Sequence, residues 1–251
     1  MKNSQRLAVV IPTLNEEAVL AATLNSLAAQ TEPATEIIVA DGGSTDGTVA
    51  LADKHGARVI ITSKKGRGWQ IAAALTQIDP EIVLIVHADM IVPTTALAMI
   101  QARLEADASC PGGCLGHRFD SPRTIYRWIE WGDRRRALRG MSYGDQGQFF
   151  RRQLLERCGG FPNHPIMEDL ELSRRLSRLG RPAYLDCPVL VSPRRFERLG
   201  WQRVVLHNLL LRFAYRCGGA RACEAIYRRY YFTDNQSVRL EPAKIASSGA
   251  R

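Results

Sequence analysis

The chain has 251 residues, of which 45% are hydrophobic, and carries a formal net charge of +9. That length and apolar share suit one large domain or two small ones with a sizeable core, which excludes disorder as the default. No apolar run reaches the roughly 18 residues of a membrane span, and residues 1–100 hold 7 Lys/Arg against 10 Asp/Glu whereas residues 101–251 hold 27 against 15, so the balance shifts from −3 to +12.

The start, Met1–Arg6, is polar and leads straight into a strand-like run, so no signal peptide is expected. Leu7–Ile11 predicts a buried strand ended by Pro12. Glu16–Gln30 predicts a helix with Leu20, Leu24, Leu27 and Ala28 on one side and Asn15 as its N-cap. A second strand follows over Glu36–Ala40, a short helix over Thr45–His55 closed by Gly56, and a third strand over Arg58–Thr62. Gly68–Ile78 predicts a helix, Ile82–Val86 a fourth strand, and Pro93 opens a helix to about Ala106. These strands are continuous apolar runs rather than alternating ones, the pattern of a parallel sheet covered on both faces.

The second half is less regular. Cys114–Phe119 and Ala183–Val191 each predict a strand, Gln148–Phe150 a short one, and Arg123–Leu138 a helix. Glu168–Leu179 predicts a helix with Leu172, Leu176 and Leu179 in one stripe, stopped by Gly180 and Pro182. Trp201–Tyr215 predicts a helix that packs through Leu206, Leu209, Leu210 and Phe213. Ala220–Tyr231 suits a last helix, and residues 234–251 a frayed tail. The six cysteines show no CxxC pair, so they are expected as reduced thiols. The basic second half suits an anionic substrate, an anionic membrane face or nucleic acid.

In an open parallel sheet, ligands sit beyond the carboxyl ends of the strands. Four such ends carry polar groups: Pro12-Thr13-Leu14-Asn15-Glu16-Glu17, Asp41-Gly42-Gly43-Ser44-Thr45-Asp46, Lys64-Lys65-Gly66-Arg67-Gly68 and His87-Ala88-Asp89. The first contains no glycine, which argues against the GxGxxG turn of a dinucleotide enzyme. Lys65 and Arg67 sit in a glycine-broken loop before a helix, where cations and backbone N–H groups both favour phosphate. A carboxylate at Asp41 can accept the imide N–H of uracil, and Gly42 allows close backbone approach. The "DGGSTDGT" stretch also suits plain helix capping by Ser44 or Asp46.

Five stretches in order, "VVIPTLNEE", "IIVADGGSTDGT", "HADM", "GGFPNHPIMEDLELSRRL" and, more loosely, "SPRRF", resemble the family 2 glycosyltransferases over about Leu7–Arg195. The resemblance implies a GT-A fold: α/β, a Rossmann-like, mostly parallel sheet with helices on both faces, here with a C-terminal helical extension. It divides the chain into a nucleotide-sugar-binding half (1–107), an acceptor-binding half of the same domain (108–198), C-terminal helices (199–233) and the tail (234–251). It implies inverting transfer of a sugar from a nucleoside-diphosphate donor, UDP favoured, with Mn²⁺ or Mg²⁺. Asp41 would bind the base with Pro12, Asn15, Glu16 and Gly42 nearby, and Lys65, Arg67 and, more weakly, Arg194 and Arg195 the diphosphate. Asp89 would hold the metal, which stabilises the leaving diphosphate. Asp169 would be the general base, supported by Glu168. The acids at 168 and 169 also suit a helix N-terminus on their own.

The chain departs from the family's Asp-x-Asp at its first position, His87. If the segment is extended, residues two apart face the same way, so His87 would meet the ribose or add a nitrogen ligand that favours Mn²⁺. Asp145 and Gln146 in "YGDQGQFF" are expected either in the acceptor pocket or in a plain turn. The acceptor is left open, with a phosphate or lipid tail met at the inner face of a membrane by an otherwise cytoplasmic protein. The alternatives are a sugar nucleotidyltransferase, disfavoured by "PTLNEE" in place of a glycine- and arginine-rich loop, and a basic RNA-binding module. The latter leaves Asp41, Asp89 and Asp169 without roles, so no nucleic-acid partner is expected.

Overall fold

The computed structural model describes residues 5–235, so most of the tail expected over 234–251 lies outside the described residues. The chain divides into two compact units, one ending at Val205 and one beginning at Leu206. The first is built on a seven-stranded sheet in the order β3-β2-β1-β4-β8-β6-β9. Its strands are β1 (Leu7–Thr13), β2 (Glu36–Asp41), β3 (Arg58–Ile61), β4 (Ile82–Ile85), β6 (Gly112–Cys114), β8 (Gln148–Arg151) and β9 (Ala183–Tyr184). β1 pairs in parallel with β2 and β4, and β2 with β3; β8 runs antiparallel between β4 and β6. A small second sheet joins β5 (Met90–Ile91), β10 (Val189–Val191) and β7 (His117–Phe119).

Alternation along β1 explains why its run is apolar throughout. Leu7, Val9 and Ile11 enter a core with Leu20, Leu24 and Leu27 of α1 (Glu17–Ala28) and with Leu97, Ile100 and Leu104 of α4 (Ala96–Ala106). Ala8 and Val10 face the other way, with Ile71, Ala74 and Leu75 of α3 (Arg67–Leu75) and Leu172 and Leu176 of α7 (Glu168–Leu179). The strand is covered on both sides, as an all-apolar strand requires. Leu24→Ala, in a site only 3% exposed, is expected to cost about 2–5 kcal/mol.

Several boundaries differ from the sequence reading for local reasons. β1 continues through Pro12 to Thr13. The Val10 carbonyl accepts from Val86 on the β4 side, so Pro12, two residues on, faces that side too. Pairing with β4 ends at Val10–Ile85, so the missing proline N–H costs no ladder bond. Asn15 is not the cap of α1: its φ is +56° and the N-cap position is Glu16. The loop of α2 (Thr48–Lys54) supplies the capping instead. Thr48 Oγ1 accepts the Glu16 N–H and Asp46 the Glu17 N–H, while Glu17 accepts the Gly47 N–H. The two expected strands Cys114–Phe119 and Ala183–Val191 each break in two and feed both sheets, at β6/β7 and β9/β10.

The remaining helices are α5 (Thr124–Ala137), α6 (Arg152–Glu156), α8 (Arg194–Leu199) and α9 (Trp201–Asn235), the last broken at Gly219. The packing face expected on α9 is not buried, since Leu206, Leu209, Leu210 and Phe213 are 50–67% exposed. All six cysteines are free thiols. No helix among the described residues is long and apolar enough to cross a membrane.

Candidate functional site

β1→β2→β3 step toward one edge of the sheet, and β4 lies on the other side of β1. The crevice between the carboxyl ends of β1 and β4 is therefore a topological switch point, the place where open α/β sheets bind ligands. Pro12, Thr13 and Asp41 end their strands beside it, and His87 and Asp89 follow β4.

Asp41 is fully buried, and its carboxylate is turned into its own loop. Oδ1 accepts the backbone N–H groups of Gly43 and Ser44, both at 2.8 Å. Oδ2 accepts the hydroxyls of Thr13 at 3.0 Å and Ser44 at 2.5 Å. Gln70 of α3 clamps the same corner by donating to the carbonyls of Thr13 (2.6 Å) and Ala40 (3.0 Å). Its amide lies 2.9 Å from where a Cβ on Gly42 would stand, so the glycine makes room for the clamp. Asn15 holds the loop from the other side, accepting the Thr45 N–H and giving its own N–H to Ser44. Neither Thr13 nor Gln70 was legible as a site residue, because a threonine at a strand end and a glutamine on a helix carry no distinctive spacing.

The chain turns at His87–Met90, where the Met90 N–H reaches the His87 carbonyl at 3.3 Å. It is not extended there, so His87 and Asp89 do not face the same way. Asp89 Oδ2 approaches Arg194 Nη2 at 3.4 Å, and Glu16 Oε2 approaches the same nitrogen at 2.9 Å. Burial pushes the Glu16 carboxyl up, Arg194 pulls it back, and Asp89 and Asp46 push it further; the net shift is upward. Two carboxylates thus converge on one cationic nitrogen. Asp89 and Glu16 are thus oxygen donors of the type that could hold a hard divalent ion in place of the guanidinium.

His87 belongs to a second group. Its imidazole is held neutral, well below the ordinary range, first by burial and then by the Arg67 charge. Its Nε2 has no hydrogen-bond partner. A Cβ on Gly144 would stand 2.8 Å from that nitrogen and 3.3 Å from Asp169 Oδ2. Asp169 Oδ2 accepts the Gly144 N–H at 2.9 Å and is 3.2 Å from Arg67 Nη2; Oδ1 accepts the Leu170 N–H at 2.7 Å. Arg67 Nε pairs with Glu168, which is 2% exposed. Burial is the first cause that raises the Glu168 carboxyl, Arg67 opposes it, and the Asp169 charge adds to the rise. The acids reach this place because Met167 takes φ +63° just before α7, an uncommon conformation for a non-glycine residue. Gly68 lets the two segments touch, since a Cβ there would collide with the His164 carbonyl.

The other sequence-predicted residues are placed as follows. Lys65 is exposed, and its neighbour Lys64 lies over the Trp69 ring at 5.4 Å. Arg195 is half-buried on α8, next to Arg194. Gln146 is 1% exposed and closes a 3₁₀ turn by accepting the Tyr143 N–H. Asp145, in that turn, faces His117 and Asp133, which the sequence reading did not single out.

Comparison with known proteins agrees with this architecture. An uncharacterised glycosyltransferase of Mycobacterium tuberculosis is 32% identical over 105 residues, 42% of this chain and 46% of its own. The chain thus spans about half the length of that relative. Glucosyl-3-phosphoglycerate synthase of M. tuberculosis is 32% identical over 101 residues, 37% of this chain and 31% of its own. Its crystal structure with Mn²⁺, UDP and glucosyl-3-phosphoglycerate superposes with a TM-score of 0.60 at 23% identity, covering 83% of this chain and 80% of that one. The mannosyltransferase PcManGT of Pyrobaculum calidifontis, in complex with GDP-Man and Mn²⁺, gives 0.65 at 24% identity over 85% of this chain and 62% of its own. These structures share the GT-A arrangement of a mostly parallel sheet with helices. The family profile "Glycosyl transferase family 2" matches residues 8–161, more than half of the sequence. With a match over residues 8–161 and a sheet of this order, the chain belongs to glycosyl transferase family 2.

Proposed function

We propose that this protein transfers a sugar from a nucleoside-diphosphate donor to an acceptor hydroxyl with inversion, and that Asp169 is the general base. The observation that carries the reading is the convergence of Asp169, Arg67, His87 and Gly144 beside the β1/β4 crevice. A buried carboxylate fixed by two backbone N–H groups and one guanidinium keeps its orientation without a substrate, as a general base must. Membership of the family and the likeness to the glycosyltransferases named above support the reaction class.

Asp89 and Glu16 are the residues that would hold a divalent cation, Mn²⁺ or Mg²⁺. Such an ion, when bound, stabilises the charge of the departing diphosphate. Arg194, now between the two carboxylates, would turn to the diphosphate together with Arg195 and Lys65. Arg67 is committed to Glu168 and Asp169, so we assign it to positioning the base rather than to phosphate. UDP is the favoured nucleotide, its uracil imide reaching Asp41 in place of the Ser44 hydroxyl, with Pro12, Asn15 and Gly42 around it. The +12 balance of residues 101–251 suits an acceptor bearing phosphate or a lipid tail at an anionic membrane surface.

The test compares Asp169→Asn with the unmodified protein. Nucleotide binding is followed by thermal shift with UDP and GDP, with and without Mn²⁺, and transfer by product formation on an accepted acceptor. Asp169→Asn should keep metal-dependent nucleotide binding and lose about 10²–10⁴-fold in kcat. Full transfer by Asp169→Asn would overturn the base assignment, and stabilisation by RNA but by no nucleotide would overturn the reaction class.

A further inference from the structure

The His117 side chain, outside the site described above, is only 1% exposed, and neither of its ring nitrogens has a hydrogen-bond partner. A neutral imidazole carries one N–H, and leaving such a donor dry costs about 1–3 kcal/mol. Native proteins seldom leave buried polar groups unpaired. The ring packs edge-to-face with that of Phe119, their centroids 5.1 Å apart.

What surrounds the ring is acidic. Asp133 Oδ2 lies 3.6 Å from Nε2, and Asp145 Oδ1 lies 4.0 Å from Nδ1. Both separations exceed a hydrogen bond. Asp145 Oδ1 is itself buried and unpartnered. Asp133 gives its other oxygen to Arg136 and keeps Oδ2 toward the histidine. The three residues come from three separate segments, β7, α5 and the 3₁₀ turn Gly144–Gln146. One ligand atom from each lies within 4.8 Å of the other two. Ligands about 2.1 Å from a common tetrahedral ion are about 3.4 Å apart, so the widest separations contract by up to roughly 1.4 Å to close the set.

We propose that His117, Asp133 and Asp145 form a cation site of their own, which takes a borderline divalent ion, Zn²⁺ or Mn²⁺, through one imidazole nitrogen and two carboxylates. One nitrogen ligand favours these ions over Mg²⁺. The two carboxylates and Arg136 leave a net charge of −1, which a divalent ion over-compensates modestly. The Asp145 side chain is 41% exposed, which gives the ion a way in and room for water as a further ligand. Asp145 adjoins Gly144, whose N–H holds Asp169, so an ion here would stiffen the turn that positions the base. This site is separate from the Asp89–Glu16 pair and does not depend on the reaction proposed above.

The experiment uses full-length protein carrying Asp89→Asn, so that an ion at Asp89 does not obscure the count. After chelation, Zn²⁺ binding is measured by equilibrium dialysis, with and without His117→Gln. The Asp89→Asn protein should bind about one Zn²⁺ per chain, and adding His117→Gln should weaken that binding on the order of 100-fold or more, since even outer-shell losses reach that range. Zinc-edge X-ray absorption on the Asp89→Asn protein, which leaves His117 intact, should show an imidazole ligand whether or not the double variant folds. No binding by the Asp89→Asn protein, equal binding by the folded double variant, or a zinc shell without imidazole would each overturn the proposal.

Discussion

The Gly144 N–H donates to Asp169 Oδ2 at 2.9 Å, and the same Gly144 has no space for a side chain because His87 Nε2 would stand 2.8 Å from its Cβ. The turn, the strand-end histidine and the acid of α7 are therefore one packed unit. Gly144→Ala must displace either the imidazole or the turn, and the turn carries Asp169 with it. A displacement of about 1 Å at a catalytic group costs about 100-fold in rate, and that loss in kcat is expected here. If the clash is the cause, His87→Ala in the Gly144→Ala background should recover part of the melting temperature. Strictly additive effects in the four-protein cycle would show that the two residues do not compete for that space.

Arg67 is the cation that keeps two acids close together under cover. Arg67→Met leaves Glu168 buried without its partner, and removing one member of a buried pair costs about 3–5 kcal/mol. The cost should depend on pH in a definite direction. The Glu168 carboxyl is raised above its ordinary 4.5 chiefly by burial, and Arg67 holds that rise down. A raised acid gives stability that is present below its unfolded value and lost as pH rises through the folded one. Without Arg67 the folded value climbs further, so the deficit relative to the unmodified protein should be small near pH 4 and grow toward pH 8. Urea unfolding at both ends of that range checks this, and a deficit independent of pH would contradict it.

His87 should stay neutral across the working range. Burial first, and the Arg67 charge second, hold it well below its ordinary 6.5. A depressed histidine contributes stability that is present above 6.5 and lost as pH falls through its folded value. In an NMR titration the His87 ring should show no inflection between about pH 6 and 8, where an unperturbed histidine changes charge. His87→Asn should also lose less stability than the unmodified protein between pH 6.5 and 5. An inflection near the ordinary value would mean that the ring is solvated and that the packing against Gly144 is wrong.

The first hundred residues were legible because each strand there is a short apolar run beside a helix with one apolar stripe. Leu7–Ile11, Glu36–Ala40 and Ile82–Val86 match their strands within two residues at either end. The helix opening at Glu168 was legible to the residue because Gly180 stops it and its acids start it. The splits at Cys114–Phe119 and Ala183–Val191 were not, since a strand that leaves one sheet for another keeps its composition. The site was legible as residue types at strand ends but not as partnerships. That Asp41 would accept the Thr13 hydroxyl, or that Arg194 would lie beside Glu16 and Asp89, depends on contacts between segments 28 and 178 residues apart. Local spacing carries no record of those. That His87 would meet Gly144 rather than the surroundings of Asp89 was hidden for a plainer reason: a turn at His87–Met90 breaks the alternation that an extended chain would have given.

Arg194 supplies the last prediction. Its guanidinium lies 2.9 Å from Glu16 and 3.4 Å from Asp89, with the side chain 48% exposed, so the pairing itself adds little to stability, on the order of 1 kcal/mol or less. Its effect on metal should be larger. With Arg194 in place, a divalent ion must displace a cation before it meets both carboxylates. Arg194→Ala removes that competitor and leaves two like charges side by side, so Mn²⁺ affinity in the absence of nucleotide should tighten by roughly 10-fold, about 1.4 kcal/mol. Protons then compete for the same oxygens. The Glu16 carboxyl is already raised, by burial first and by Asp89 and Asp46 among the rest, while Arg194 lowers it. Losing the arginine raises it further, so the tightened Mn²⁺ binding should fade as pH drops toward 5. Electron paramagnetic resonance of free Mn²⁺ measures this directly, with Asp89→Asn in the same background as the reference that should abolish the gain. An unchanged or weaker affinity in Arg194→Ala would show that Asp89 and Glu16 do not hold the ion.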